Sequence, residues 1–173
     1  MIEIRELSET TVDQAMQLVT ESFDLDVRRG WRSEDFEEDW MLAYHKFRSV
    51  AAGWPFVGLV GYQNYNQPVA ISLVIRSAAY GESTGLWEWF FVSPRVKKTA
   101  FPLRLGRETI DRARLAGAKD FVAFVGHGNE PVERIMRMVG MKPIEVEYRG
   151  ALHQLKHNVL RKHKLEAVKN NGK

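Results

Sequence analysis

The sequence predicts a fold that combines α-helices and β-strands, of the α/β or α+β class. Amphipathic helical patterns and apolar runs rich in β-branched residues both occur along the 173 residues of the chain. Two of these runs, Phe56–Gln63 and Pro68–Ser77, are separated by the turn Asn64–Gln67 and predict an antiparallel hairpin. From Trp87 to Ala118, a strand, a basic turn and a helix opened by proline follow each other directly. This order predicts a strand that ends beside a helix N-terminus.

Composition is that of a single globular domain. Apolar residues make up 45% and charged residues 27% of the sequence, and no apolar run reaches the roughly 20 residues that a membrane helix needs. The N-terminus lacks the layout of a signal peptide, so a cytoplasmic protein is expected. The absence of cysteine excludes disulfides, thiol nucleophiles and thiolate zinc sites. The histidines lack metal-ligand spacing with Asp or Glu, and no metal site is predicted.

The predicted elements begin with a strand and two helices. Ile2–Leu7 alternates like a strand, and Thr10 or Thr11 is expected to cap a helix with one apolar face. A helical pattern resumes at Glu34–Ala52, with Ser33 as its expected cap. The later elements are the strand Leu86–Val92, the helix Pro102–Leu115, the strand Phe121–Val125, the helix Pro131–Val139, the hairpin strands Ile144–Tyr148 and Ala151–Leu155, and a basic helix at His157–Val168.

The junction between the strand Leu86–Val92 and the helix Pro102–Leu115 predicts an anion-binding site. The first N–H groups of a helix have no intrahelical acceptor, and the helix dipole places partial positive charge beside them. Lys97 and Lys98 in the connecting turn add compact positive charges. A phosphate-bearing cofactor is the ligand that this arrangement favours.

Short motifs at these junctions carry a family resemblance. Val92-Ser93-Pro94 ends the strand, Lys97–Pro102 forms the turn, and Gly117-Ala118 ends the helix. Downstream, Asn129 precedes a short helix that ends at Gly140-Met141. In this order and spacing, the chain resembles the GNAT family of acyl-CoA-dependent N-acyltransferases.

The resemblance implies a twisted mixed sheet with antiparallel N-terminal strands, helices on both faces, and a cofactor cleft where Leu86–Val92 and Phe121–Val125 diverge. It spans residues 1–155 as one domain and leaves 156–173 as a basic helix and tail. Acetyl-CoA or a related acyl-CoA is the implied co-substrate. The residues that the resemblance places at the cofactor are Val92, Lys97, Lys98, Thr99, Ala100 and Asn129.

Two departures from the family pattern concern its chemistry. Ala100 and Pro102 replace the two glycines of the family's pyrophosphate turn, and proline donates no N–H to a phosphate, so weakened binding is expected. The family's tyrosine, which protonates the departing thiolate, corresponds to Met136, whose thioether cannot donate a proton. The basic residues expected to compensate in the turn are Arg95, Lys97, Lys98 and Arg104. The candidates to replace the lost proton donor are water, Tyr148 and His127.

Glu88 is the candidate general base. It lies on the strand that leads into the turn, between Trp87 and Trp89, where partial desolvation makes a carboxylate a stronger base. The alternative is that Glu88 points outward, or pairs with a Lys or Arg, on a strand whose other face is core.

The function implied by the resemblance is transfer of an acetyl or related acyl group from acyl-CoA to a primary amine, on a small molecule or a protein. The alternative is a catalytically inactive GNAT-like module that binds a protein partner, with the basic tail at 156–173 as its contact. A loose similarity to GNAT-like proteins of tailed phages implies, for that alternative, a virion-associated or assembly role. Neither membrane nor nucleic-acid binding is expected.

Overall fold

A computed structural model describes residues 2–30, 35–77, 79–125 and 129–142. The elements, in chain order, are β1 (Ile2–Glu6), a short 3₁₀ turn (Glu9–Thr11), α1 (Val12–Arg28), α2 (Glu37–Ala51), β2 (Phe56–Gln63), β3 (Gln67–Ser77), β4 (Gly81–Val92), α3 (Phe101–Leu115), β5 (Asp120–Ala123) and α4 (Glu130–Met138). The predicted residues that lie outside the described ranges are Ser33, His127, both strands of the hairpin at 144–155, including Tyr148, and the basic tail at 156–173.

The described strands form one mixed sheet in the order β1-β2-β3-β4-β5. Each neighbour pair from β1 to β4 is antiparallel, whereas β5 runs parallel to β4. The hairpin predicted from the Asn64–Gln67 turn is confirmed, since β2 and β3 pair from Phe56↔Ile75 to Gln63↔Gln67. This combination of antiparallel strands and a parallel crossover confirms the predicted mixed sheet.

β4 is longer than the sequence predicts. The prediction begins at Leu86, because Glu82 and Ser83 interrupt the apolar pattern, but the strand begins at Gly81. Its first part already pairs on both sides, with Ser77↔Gly81 on β3 and Thr84↔Asp120 on β5. Pairing with β3 and β5 therefore extends β4 beyond the residues whose local sequence predicts a strand.

Helices cover both faces of the sheet, as predicted. α1 and α2 pack on one face, around Phe23, Phe47 and Leu73. α3 and α4 pack on the other, around Trp87, Leu105 and Met136. Among the described helices, none is long and apolar enough to cross a membrane.

Gly61 on β2 allows the N-terminus of α3 to approach the sheet. A Cβ atom on Gly61 would lie 2.5 Å from Cζ of Phe101, the first residue of α3. We therefore expect Gly61→Ala to lower the free energy of unfolding by about 1–3 kcal/mol, because the ring must shift or the helix must move. Thermal and urea denaturation measure this loss.

The control for Gly61→Ala is the same change in a Phe101→Leu background. A smaller side chain leaves room for the new methyl group, so the two changes should be non-additive. An equal cost in both backgrounds would contradict the proposed clash.

Candidate functional site

β4 and β5 diverge at the position predicted for the cleft. Their pairing runs from Thr84↔Asp120 to Trp87↔Ala123, where β5 ends. β4 continues from Glu88 to Val92, and within the described residues this part has no partner on its β5 side. The divergence opens a notch along one edge of β4. We call this open edge, which runs along Glu88–Val92, the β4 notch.

Glu88 is the extra residue of a β-bulge at the start of the β4 notch. Leu73 and Val74 are consecutive on β3, but their partners on β4 are Trp89 and Trp87. The insertion breaks the alternation of side chains, a common device beside functional sites. Trp87 packs in the α3–α4 core, Trp89 packs against the α1–α2 core, and Glu88 reaches α2. The bulge therefore directs the Glu88 carboxylate toward α2.

The partner of Glu88 on α2 is Lys46. The Lys46 Nζ donates a hydrogen bond to Glu88 Oε1 at 2.6 Å, and the two side chains are 27% and 23% exposed. Glu88 thus forms an ion pair with a lysine, which is the alternative that the sequence offers to a role as base. A base role for Glu88 stays a prediction, and it requires an incoming amine to take the place of this ammonium.

Lys46 is not among the residues that the sequence motifs predict at the site. It lies three residues after Ala43 and four before Val50, on the stripe of α2 that also contains Phe47 and faces the sheet. A lysine within a buried stripe is unusual unless it is paired. That departure from the apolar pattern is the signal that predicts a buried acidic partner.

The turn that follows β4 is fixed at its start by Ser93. The Ser93 N–H donates to the Val69 carbonyl on β3 at 2.8 Å, and its hydroxyl donates to Glu21 Oε1 on α1 at 2.9 Å. Val96 is buried and its N–H donates to the Ser93 carbonyl at 3.0 Å. The turn is therefore tied to the sheet and to α1 before it reaches the exposed lysines.

The turn before α3 and the first residues of α3 contain amides that have no acceptor within the described ranges. Ala100 is its N-cap, and Pro102 occupies the second helical position, so one N–H is lost as predicted. The Phe101 N–H is already engaged, because it donates to Thr99 Oγ1 at 3.2 Å. Among the described residues, the N–H groups of Lys98, Ala100 and Leu103 have no acceptor. These amides are available to an anion.

The basic residues predicted around the turn differ in their surroundings. The side chains of Lys97 and Lys98 are exposed beside the free amides, and Arg95 is exposed as well. Arg104 instead donates to the backbone carbonyl of Ile2 and lies over the Phe101 ring, at 5.2 Å from its centroid. Arg104 therefore holds β1 against α3, whereas Arg95, Lys97 and Lys98 are the exposed cations of the turn.

The positions predicted on α4 occupy different environments. Asn129 is the N-cap of α4, and its carbonyl accepts the Val132 and Glu133 N–H groups at 3.0 and 3.1 Å. Met136, at the position implied for the family's tyrosine, is 7% exposed and packs in the same core as Trp87. His127 and Tyr148, two of the candidates to replace the lost proton donor, lie outside the described residues.

Within the described ranges, no group of three or more His, Asp or Glu residues is arranged to hold a metal ion.

This architecture is found among solved N-acetyltransferases. The PaiA N-acetyltransferase of Thermoplasma acidophilum, solved with coenzyme A, aligns with a TM-score of 0.69 and 15% identity over 85% of this chain and 93% of that one. AAC(6')-Iy, solved with the bisubstrate analogue CoA-S-monomethyl-acetylneamine, aligns with a TM-score of 0.63 and 11% identity over 87% and 99%. The ribosomal-protein-alanine N-acetyltransferase of Brucella melitensis biovar Abortus 2308 aligns with a TM-score of 0.60 and 13% identity over 88% and 100%.

These comparisons establish the fold. No protein-family model and no curated protein matches the sequence. The likeness lies in the order and packing of the elements, since the identities are low. The chain has the GNAT fold that its junction motifs predicted, and the identity of its substrates has to be argued from its own residues.

Proposed function

We propose that the protein transfers an acyl group, with acetyl the simplest case, from an acyl-CoA to a primary amine. The observation that carries this proposal is that the N–H groups of Lys98, Ala100 and Leu103 have no acceptor in the described part of the chain, with the exposed Lys97 and Lys98 side chains in the same turn. Unpaired amides, a helix dipole and ammonium groups together favour a diphosphate. Coenzyme A, which the Thermoplasma PaiA structure contains, carries such a group.

The order of segments along the chain indicates where each part of acyl-CoA would bind. The diphosphate is assigned to the segment Lys97–Ala100, and the pantetheine arm to the β4 notch, which ends at Val92 beside that segment. Asn129 lies at the start of α4 and is assigned to the opposite side of the notch. In this arrangement the thioester lies near the bulge at Glu88, and a backbone N–H near Val92 is the candidate to stabilise its carbonyl oxygen.

The reaction makes one C–N bond and breaks one C–S bond. An acceptor ammonium gives its proton to Glu88, and the neutral amine then attacks the thioester carbon. The attacking nitrogen releases its second proton to water as the amide forms, and coenzyme A leaves as a thiolate, which needs a proton. Met136 cannot supply that proton because it is a thioether in the core, so the donor is water or a residue outside the described ranges.

A calorimetric titration with acetyl-CoA tests the proposal, and acetyl-pantetheine, which lacks the diphosphate together with the phosphorylated adenosine, is the comparison ligand. We expect acetyl-CoA to bind, and acetyl-pantetheine to bind at least about tenfold more weakly, since it loses charge-assisted hydrogen bonds. Release of free thiol with a panel of primary amines then tests the transfer. Absence of any heat at millimolar acetyl-CoA would end the enzyme proposal.

The second candidate is a catalytically inactive GNAT-fold module that binds a protein partner. The pairing of Glu88 with Lys46 and the burial of Met136 favour it, because both remove groups that the transfer needs. Binding of acetyl-CoA without thiol release for any amine would support this candidate. The roles proposed for the basic tail at 156–173 and in virion assembly remain part of this second proposal.

A further inference from the structure

The Lys46 side chain is held where an acceptor amine would have to bind. An amine that gives its proton to Glu88 must come within hydrogen-bond distance of the carboxylate. The Lys46 Nζ already lies 2.6 Å from Glu88 Oε1. Glu88 is also the first residue of β4 beyond the last β4–β5 pair, Trp87↔Ala123, where the notch opens.

The position of Lys46 on α2 maintains this arrangement. Ala43, Phe47 and Val50, on the same stripe, are buried against the sheet and fix the helix face that carries the lysine. Only 27% of the Lys46 side chain is exposed, so the ammonium is confined rather than free in solvent. A nucleophile that is held beside its base reacts at a high effective concentration.

From this geometry we infer that Lys46 is itself an acyl acceptor, so that the protein acylates its own α2 when it binds acyl-CoA. The inference rests on the proposed function, because it uses the same acyl donor and the same base. The Lys46 ammonium transfers a proton to Glu88, and the neutral Nζ attacks the thioester carbon. A C–N amide bond forms as the nitrogen releases its second proton to water, and the C–S bond breaks. The thiolate of coenzyme A takes a proton from water, and Glu88 returns its proton to the solvent, so that one proton is released overall. No oxidant or further reactant is needed.

The product has a distinct effect on the site. Acylation converts the Lys46 ammonium into a neutral amide, so the ion pair with Glu88 is lost. The carboxylate is then free to receive a proton from an external amine. The modification therefore removes one positive charge from the chain and leaves the Glu88 carboxylate at the bulge without its ammonium partner.

Intact-mass and peptide-mapping mass spectrometry of the full chain, incubated with acetyl-CoA and without added amine, tests the inference. We expect a mass gain of one acetyl group, located on Lys46. The exposed Lys119 and Lys142 serve as internal controls for spontaneous acetylation. Lys46 should react about 100-fold faster than these controls, because a positioned base contributes at least that factor. Lys46→Arg, which keeps the positive charge, should lose the fast phase entirely.

One further variant, one comparison of rates and one binding measurement separate the outcomes. Glu88→Gln should slow the acetylation of Lys46 to the rate of Lys119, and an unchanged rate would overturn the base-assisted transfer. Equal rates at Lys46 and Lys119, in a protein that binds acetyl-CoA by calorimetry, would overturn self-acylation and leave the proposed function standing. If acetyl-CoA does not bind, the proposed function fails and self-acylation fails with it.

Discussion

Glu88→Gln is expected to lower kcat/KM for amine-dependent thiol release by about 100-fold or more, which is the usual contribution of a positioned general base. Glutamine keeps the shape of the side chain, and its Oε1 can still accept the hydrogen bond from Lys46. The bulge between Trp87 and Trp89 should therefore persist. What is lost is the ability to accept a proton, so the effect should fall on kcat and not on the dissociation constant of acetyl-CoA.

The matched control for Glu88→Gln is Glu108→Gln. Glu108 also accepts a hydrogen bond from a cation, Arg112 Nε at 2.8 Å, but its side chain is 40% exposed and its partner Arg112 also pairs with Glu6 on β1. This change should leave thiol release unaltered, because a partly exposed pair contributes little and lies away from the notch. A Glu88→Gln protein that turns over at the wild-type rate would remove Glu88 from the mechanism and favour the non-catalytic module.

The order of elements is predictable from the sequence because it follows from local patterns. Apolar residues at helical spacing and at alternating positions decide which segments bury a face. The strand that runs through Trp87 to Val92, the basic turn and α3 are adjacent in the chain, so their junction is also local. The segment predicted to bind an anion therefore lies at the start of α3, where several N–H groups have no acceptor among the described residues.

The bulge at Glu88 is not predictable in this way. It depends on how β4 is registered against Leu73 and Val74 of β3, and the register is set by pairing across the sheet. The ion pair with Lys46 joins residues 42 positions apart and needs both the bulge and the packing of α2. A tertiary contact of this kind determines whether Glu88 faces solvent, a cation or a substrate.

A charge reversal in the turn gives the second large effect. Lys97→Glu combined with Lys98→Glu is expected to weaken acetyl-CoA binding on the order of 100-fold, because two favourable contacts with a diphosphate become repulsive. The exposed turn is fixed at Ser93 and Val96, whose hydrogen bonds do not involve either lysine side chain. The fold should therefore remain intact, and calorimetry at low ionic strength measures the loss.

The control for this reversal is Lys119→Glu combined with Lys142→Glu, which changes the net charge of the chain by the same amount. These lysines are exposed, lie outside the Lys97–Ala100 turn and are not assigned to the diphosphate. Their reversal should therefore weaken binding only slightly, and added salt should abolish that small difference first. Wild-type affinity should itself decrease as the salt concentration increases. If both pairs weaken binding equally, the affinity reflects the overall charge of the protein, and the amides at Lys98, Ala100 and Leu103 do not form the diphosphate site.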